Sequence, residues 1–141
     1  MADLKDLVQR FYKEVFENGN VDAIDDLATE NIVEHQAPPP GFVRKPGREG
    51  VKDECRLYIE AFKPMSVQVH EQYVDGDTVI TRATFTGTHS GQYGPLPATG
   101  KTASVEAIDI TRYEGDRAAE HWGQIDAVGM LTQLGVLPPM E

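Results

Sequence analysis

The apolar residues of this chain keep one period through the first third and another from Val67 onward, and few architectures hold both. In the first part Leu4, Leu7, Val8, Phe11, Tyr12, Val15 and Phe16 recur at three- and four-residue steps, the stripe of an amphipathic helix. Asp3 is placed to cap its start and Asn18-Gly19-Asn20 to stop it. Val21, Ile24, Leu27 and Ala28 mark a second, short helix, and Asn31 to Gln36 reads as a short strand. Three prolines in Ala37-Pro38-Pro39-Pro40-Gly41 exclude helix and central strand, because they lack the N–H donor. A third helix follows Gly47-Arg48-Glu49-Gly50, striped by Val51, Cys55, Tyr58, Ile59 and Phe62 and ended by Pro64.

From Val67 the period is 2. Val67, Val69 and Tyr73 alternate with polar residues, Asp75-Gly76-Asp77 turns the chain, and Val79 to Thr88 returns. A glycine- and proline-broken loop spans His89 to Gly100. A strand then runs from Lys101 to Tyr113, turns at Glu114-Gly115-Asp116 and returns as Arg117 to Asp126. Three helices followed by a meander of long strands predict one α+β domain over residues 1–141. A sheet curled over striped helices encloses a core, and where strand ends or small residues leave that core incompletely filled a pocket results.

Charge narrows the partners. Thirteen Lys and Arg against 23 Asp and Glu give a net charge of −10, which speaks against nucleic acid and anionic membrane. A single cysteine, Cys55, suits a reducing compartment, and the N-terminal residues lack a basic start and an apolar run; a cytoplasmic location is expected. The four histidines are far apart and no pair has i, i+4 spacing, so no metal site is expected. No Gly-x-Ser-x-Gly and no Gly-Lys-Ser/Thr is present, so neither an acyl-transfer nucleophile nor a phosphate loop is expected.

The last strand offers the acid/base candidates. With its turn at Glu114 to Asp116, Asp109 pairs near Trp122. Glu120, Trp122, Gln124 and Asp126 share one face; Ala119, His121, Gly123 and Ile125 share the other. Trp122 is the only Trp, and placing its bulk inward puts Asp126 at the end of an inward row, where desolvation would suit a general acid/base. The competing reading makes Asp126 the cap of a short C-terminal helix. His35, beside the proline loop, is either a proton shuttle or a histidine that fixes its neighbours. By parity His121 faces away, His89 anchors a loop and His70 meets solvent.

Glu120-His121-Trp122-Gly123-Gln124-Ile125-Asp126, with Leu131-Thr132-Gln133-Leu134-Gly135, closely resembles the C-terminal signature of the SnoaL-like polyketide cyclases. Gly94-Pro95-Leu96-Pro97-Ala98-Thr99-Gly100-Lys101, Val33-Glu34-His35, the Pro46 to Gly50 run and Gly87-Thr88-His89-Ser90-Gly91 fit the same pattern. The resemblance implies a cone-shaped α+β fold of the nuclear-transport-factor type around a pocket. It also implies cofactor-free, intramolecular aldol-type ring closure of a hydrophobic, carbonyl-bearing polyketide. It places the family's acid/base aspartate on Asp126 and its pocket tyrosine on Tyr12. The histidine that some members carry on the penultimate strand is absent from Glu106 to Arg112.

The expected mechanism therefore uses Asp126 as base and His35 as donor to the enolate oxygen. Tyr12, Phe16, Tyr58, Phe62, Phe85, Trp122 and Gln124 are the expected substrate contacts. The rival readings on the same fold are a non-catalytic small-molecule binder and an epoxide hydrolase built on Asp109, Arg112 and Asp126; parity puts Asp109 and Arg112 on opposite faces. Ile108, Ile110 and Ile125 are expected on the outer sheet face, where an apolar surface predicts a homodimer.

Overall fold

The computed structural model describes residues 3–139 and shows an α+β fold with one open, mixed, five-stranded sheet. Helix α1 (Leu4–Phe11) starts at Asp3, whose carboxylate accepts from the Lys5 N–H at 2.8 Å. The chain then widens into a π-helical segment, Tyr12–Glu17, in place of the uninterrupted α-helix that the stripe predicts. Its Asn18 N–H reaches back five residues to the Lys13 carbonyl at 2.9 Å. The wider turn lets Phe11, Tyr12 and Phe16 all face the interior, and such insertions recur at functional sites.

A 3₁₀ turn (Val21–Ala23) and the short α2 (Ile24–Leu27) lead into β1 (Ala28–Glu34). The proline loop is irregular, as its prolines require, and α3 (Gly47–Ala61) follows. The strands are β2 (Phe62–Asp75), β3 (Thr78–His89), β4 (Thr102–Glu114) and β5 (Arg117–Ile125); α4 (Ala127–Gln133) ends the fold. Strand β2 starts directly at Phe62, upstream of the expected Val67, because Pro64 tolerates the exposed edge of the sheet.

The sheet order is β1-β5-β4-β3-β2, with β1 parallel to β5 and every other pair antiparallel. Helices α1 to α3 cover the inner face around a core that includes Val15, Ile24, Leu27 and Val79. A second cluster, with Phe62, Tyr93, Met130 and Leu134, closes the opposite end. Along β4 the inner positions are Ala103, Val105, Ala107, Asp109, Thr111 and Tyr113, all buried, while their neighbours are exposed or half-buried.

One irregularity decides which side chains face inward on β5. The hairpin opens with Glu114 opposite Arg117 and Tyr113 opposite Ala118, the pairing expected from its turn. A β-bulge then inserts Ala119, so that Arg112 meets Glu120 and Asp109 meets Gly123 rather than Trp122. Beyond the bulge His121, Gly123 and Ile125 sit on the inner face and Glu120, Trp122 and Gln124 on the outer one. This corrects the expectation that Trp122 and its row point inward. Trp122 instead stacks on His35, with ring centroids 4.9 Å apart and planes 8° from parallel. Ile125 likewise moves from the expected outer face to the interior, where it lines the cavity. Ile108 and Ile110 remain outside.

Candidate active site

Between the sheet and the helices lies a cavity of about 180 Å³. Its length is apolar, walled by Phe16, Phe62, Phe85, Val105 and Ile125 among others. The cause is on the strands: Gly87, Ala103 and Ala107 are too small to fill the space beneath them. One end is polar, and there four side chains from four elements form a continuous hydrogen-bonded chain.

Asp109 of β4 is its centre. Its Oδ2 accepts the Tyr12 hydroxyl of the π-helical segment at 2.6 Å, and its Oδ1 lies 2.9 Å from His121 Nε2 of β5. His121 Nδ1 in turn lies 2.7 and 2.8 Å from the two oxygens of Glu34 on β1. Both ring nitrogens thus face carboxylates, the geometry of an imidazolium donating from both sides. Burial alone would lower the affinity of this ring for its proton. The hydrogen bonds to Asp109 and Glu34, and their charges, outweigh burial and raise the His121 pKa from 6.5 to about 10. Burial, with the adjacent Asp109 carboxylate, pushes the Tyr12 phenol well above its usual value, so Tyr12 stays a protonated donor.

A second layer holds this chain in place. Arg44 forks onto both Glu54 oxygens, at 2.6 and 3.1 Å, and also donates to the carbonyls of Glu34 and Gln36. Burial raises the Glu54 pKa, against the pull of Arg44.

The two expected catalytic residues lie elsewhere. Asp126 is exposed and caps α4, with its Oδ1 accepting from the Gly129 N–H at 2.9 Å. His35 is on the outer face, stacked on Trp122 and hydrogen-bonded to Glu120 at 2.7 Å. Neither reaches the cavity: Asp126 continues the row that the β5 bulge turns outward, and His35 alternates outward from Glu34, the inner residue of β1 that pairs with His121. Trp122 and the exposed Gln124 are outside through the same bulge. Of the expected contacts, Tyr12, Phe16, Tyr58, Phe62 and Phe85 do line the cavity. His89 is fully buried and its Nδ1 accepts from Thr99, so it anchors the loop as expected. Arg112 pairs with Glu120 on the outer face, far from joining Asp109 in a water-activating set.

Sequence reasoning placed Asp109 only in the epoxide-hydrolase alternative and turned His121 away from the interior; the structure brings both into the cavity. A usable signal was present: Asp109 occupies an inward position in the row Ala103, Val105, Ala107, Asp109, where every other residue is apolar. For His121 no such signal existed, since its direction depends on the bulge.

Comparison with known proteins agrees with this architecture. No curated protein matches the chain. Among solved structures it is similar to TsrD from Streptomyces laurentii, at 26% identity over 97% of this chain and 100% of that one, with a TM-score of 0.84. It is similar to IdmH from Streptomyces antibioticus, described as a candidate polyketide cyclase, at 30% identity over 96% and 100%, TM-score 0.80. A candidate polyketide cyclase from Acidithiobacillus ferrooxidans matches at 26% identity over 95% of each chain, TM-score 0.83. The model of the SnoaL-like polyketide cyclases matches residues 6–134, nearly the whole chain, and the chain therefore belongs to that family.

Proposed function

We infer that this protein is a cofactor-independent acid/base enzyme that abstracts a proton next to a carbonyl group of a hydrophobic small molecule and uses the resulting enolate to close a ring. The observation that carries this reading is the Asp109 carboxylate, held at the polar end of a largely apolar cavity between Tyr12 and the His121 cation. A carboxylate base needs a held orientation and a site from which water is excluded, and the Tyr12 and His121 contacts and the apolar walls supply these.

The steps use this chain's own groups. Asp109 takes the α-proton, and the C–H electron pair becomes the enolate. The enolate carbon attacks a second carbonyl carbon, a C–C bond forms, and that carbonyl's π pair moves to its oxygen. Asp109 then returns the proton to the new alkoxide. Tyr12 and His121 hold the carboxylate by both oxygens, so its orientation is fixed before substrate arrives. The cation of His121 balances the carboxylate charge where water is scarce. A cavity of about 180 Å³ is smaller than the roughly 300–1,000 Å³ usual for ligand pockets. It fits about two fused rings, and a larger polycycle would have to displace aromatic walls.

The test needs no natural substrate. 2-Tetralone is a flat, two-ring ketone whose α-protons exchange with D2O only after abstraction, and NMR reads the loss of the signal. The wild type is expected to speed this exchange well above buffer, and Asp109→Asn to lower it by about 10²–10⁴-fold, the usual worth of a positioned base. An Asp109→Asn protein that exchanges at the wild-type rate ends this reading and favours a binding module.

A further inference from the structure

Enolate formation places negative charge on an oxygen, and that oxygen needs a donor. The donors that bond Asp109 directly are already spent on carboxylates: the Tyr12 hydroxyl on Asp109, and the two His121 nitrogens on Asp109 and Glu34. The Thr111 and Tyr113 hydroxyls also line the cavity; Gln36 is set apart from them by its meeting with Asp109 over Gly123. Arg44 is committed to Glu54 and to two backbone carbonyls. Gln36 differs. It lines the same end of the cavity, and its side-chain amide makes no hydrogen bond among the described residues.

The backbone of Gln36 is nonetheless pinned on both sides. Its N–H donates to Glu34 Oε1 at 2.9 Å, the same oxygen that meets His121, and its carbonyl accepts from Arg44 at 2.5 Å. The fixed backbone sets where the free amide can reach before a ligand arrives. Its position also explains a glycine. A methyl group at Gly123 would lie 2.2 Å from Gln36 Oε1 and 2.9 Å from Asp109 Oδ1. Gly123 has no left-handed backbone angle to justify it. The missing side chain instead leaves the room in which amide and carboxylate lie side by side.

We propose that Gln36 is the substrate-orienting residue of this cavity, its amide N–H donating to the carbonyl oxygen whose α-carbon faces Asp109, with Gly123 as the position that keeps space for it. This rests on Asp109 as the base. The substrate feature it selects is a neutral ketone or ester carbonyl. A carboxylate would be repelled, because three carboxylates, Asp109, Glu34 and Glu54, face only two cations, His121 and Arg44.

The test uses 2-tetralone with two readouts: α-proton exchange, and the infrared C=O stretch of the bound ketone, which falls when the oxygen accepts a hydrogen bond. Gln36→Met keeps the length of the side chain and removes the donor. It should slow exchange roughly tenfold, toward the low side of what an oxyanion donor supplies, and return the C=O stretch to its unbonded frequency. Binding should change by less than about threefold, since hydrophobic walls hold the rings. Gly123→Ala should reproduce both changes, and in a Gln36→Met background it should add nothing, as coupled neighbours do. Asp109→Asn should stop exchange yet leave the C=O shift, so the base and the donor fail separately. Gln36→Met with wild-type exchange and a wild-type stretch overturns the proposal. So does transfer of both effects to Thr111→Val or Tyr113→Phe, which remove cavity hydroxyls near Asp109, and so does a bound ketone whose stretch never shifts in the wild type.

Discussion

Single protons carry the account at the scale of the residue. His121 holds a proton in the folded protein up to about pH 10, whereas the unfolded chain releases it near 6.5. The folded state therefore binds more protons between those values, and its stability falls as pH rises through them. The contribution is complete below about pH 6.5 and is lost as pH passes 10. Denaturant unfolding should show a decrease on the order of 3 kcal/mol between pH 6.5 and 9; a flat profile would mean that the Glu34–His121–Asp109 chain does not form. Asp126 belongs to another kind of chemistry. As the N-cap of α4 it should cost about 1 kcal/mol on replacement by Ala, read as a lower midpoint in urea, with exchange of 2-tetralone unchanged.

The strand and the hairpin are where sequence reading succeeded and where it stopped. Period and turn residues sufficed for the place of the helices, though not for the π-helical turn at Tyr12–Glu17 or the end of α3 before Phe62, and for the β4–β5 hairpin and its Glu114–Arg117 closure. What they could not supply was the extra residue at Ala119, because a bulge leaves no trace in the alternation until the partner strand is laid against it. That single insertion turned Trp122 outward and His121 inward. The bulk of Trp122 misled for a further reason: a large aromatic also finds cover on a sheet exterior, here under an imidazole. The inner row of β4 yields a prediction of its own. Ala107 is buried and borders the cavity, so Ala107→Leu should project into empty space. Stability should change by no more than about 1 kcal/mol, since a void is available, while 2-tetralone exchange should fall at least tenfold. Denaturant unfolding and the exchange assay on one preparation decide it; loss of folding instead would show that the cavity closes in solution.

At the scale of the whole molecule, the sheet has one face on the cavity and the helices and an outer face that carries an apolar row. Across the outer face Tyr73, Ile80, Ile110 and Trp122 pair in one row that crosses β2 to β5, with Ile108 beside it. Tyr73, Ile80, Ile108 and Trp122 are all exposed, which predicts self-association through the sheet. Sedimentation at micromolar concentration should find a dimer in the wild type and a monomer in Ile108→Glu; a wild-type monomer rejects it. Among the described residues no helix is long and apolar enough to cross a membrane. The central claim, that the working carboxylate is the enclosed one, is decided by comparing two amide variants in the 2-tetralone exchange assay. Asp126→Asn keeps a good cap and should exchange at the wild-type rate, whereas Asp109→Asn should fall to the buffer rate. Loss of exchange in Asp126→Asn with retention in Asp109→Asn would contradict it.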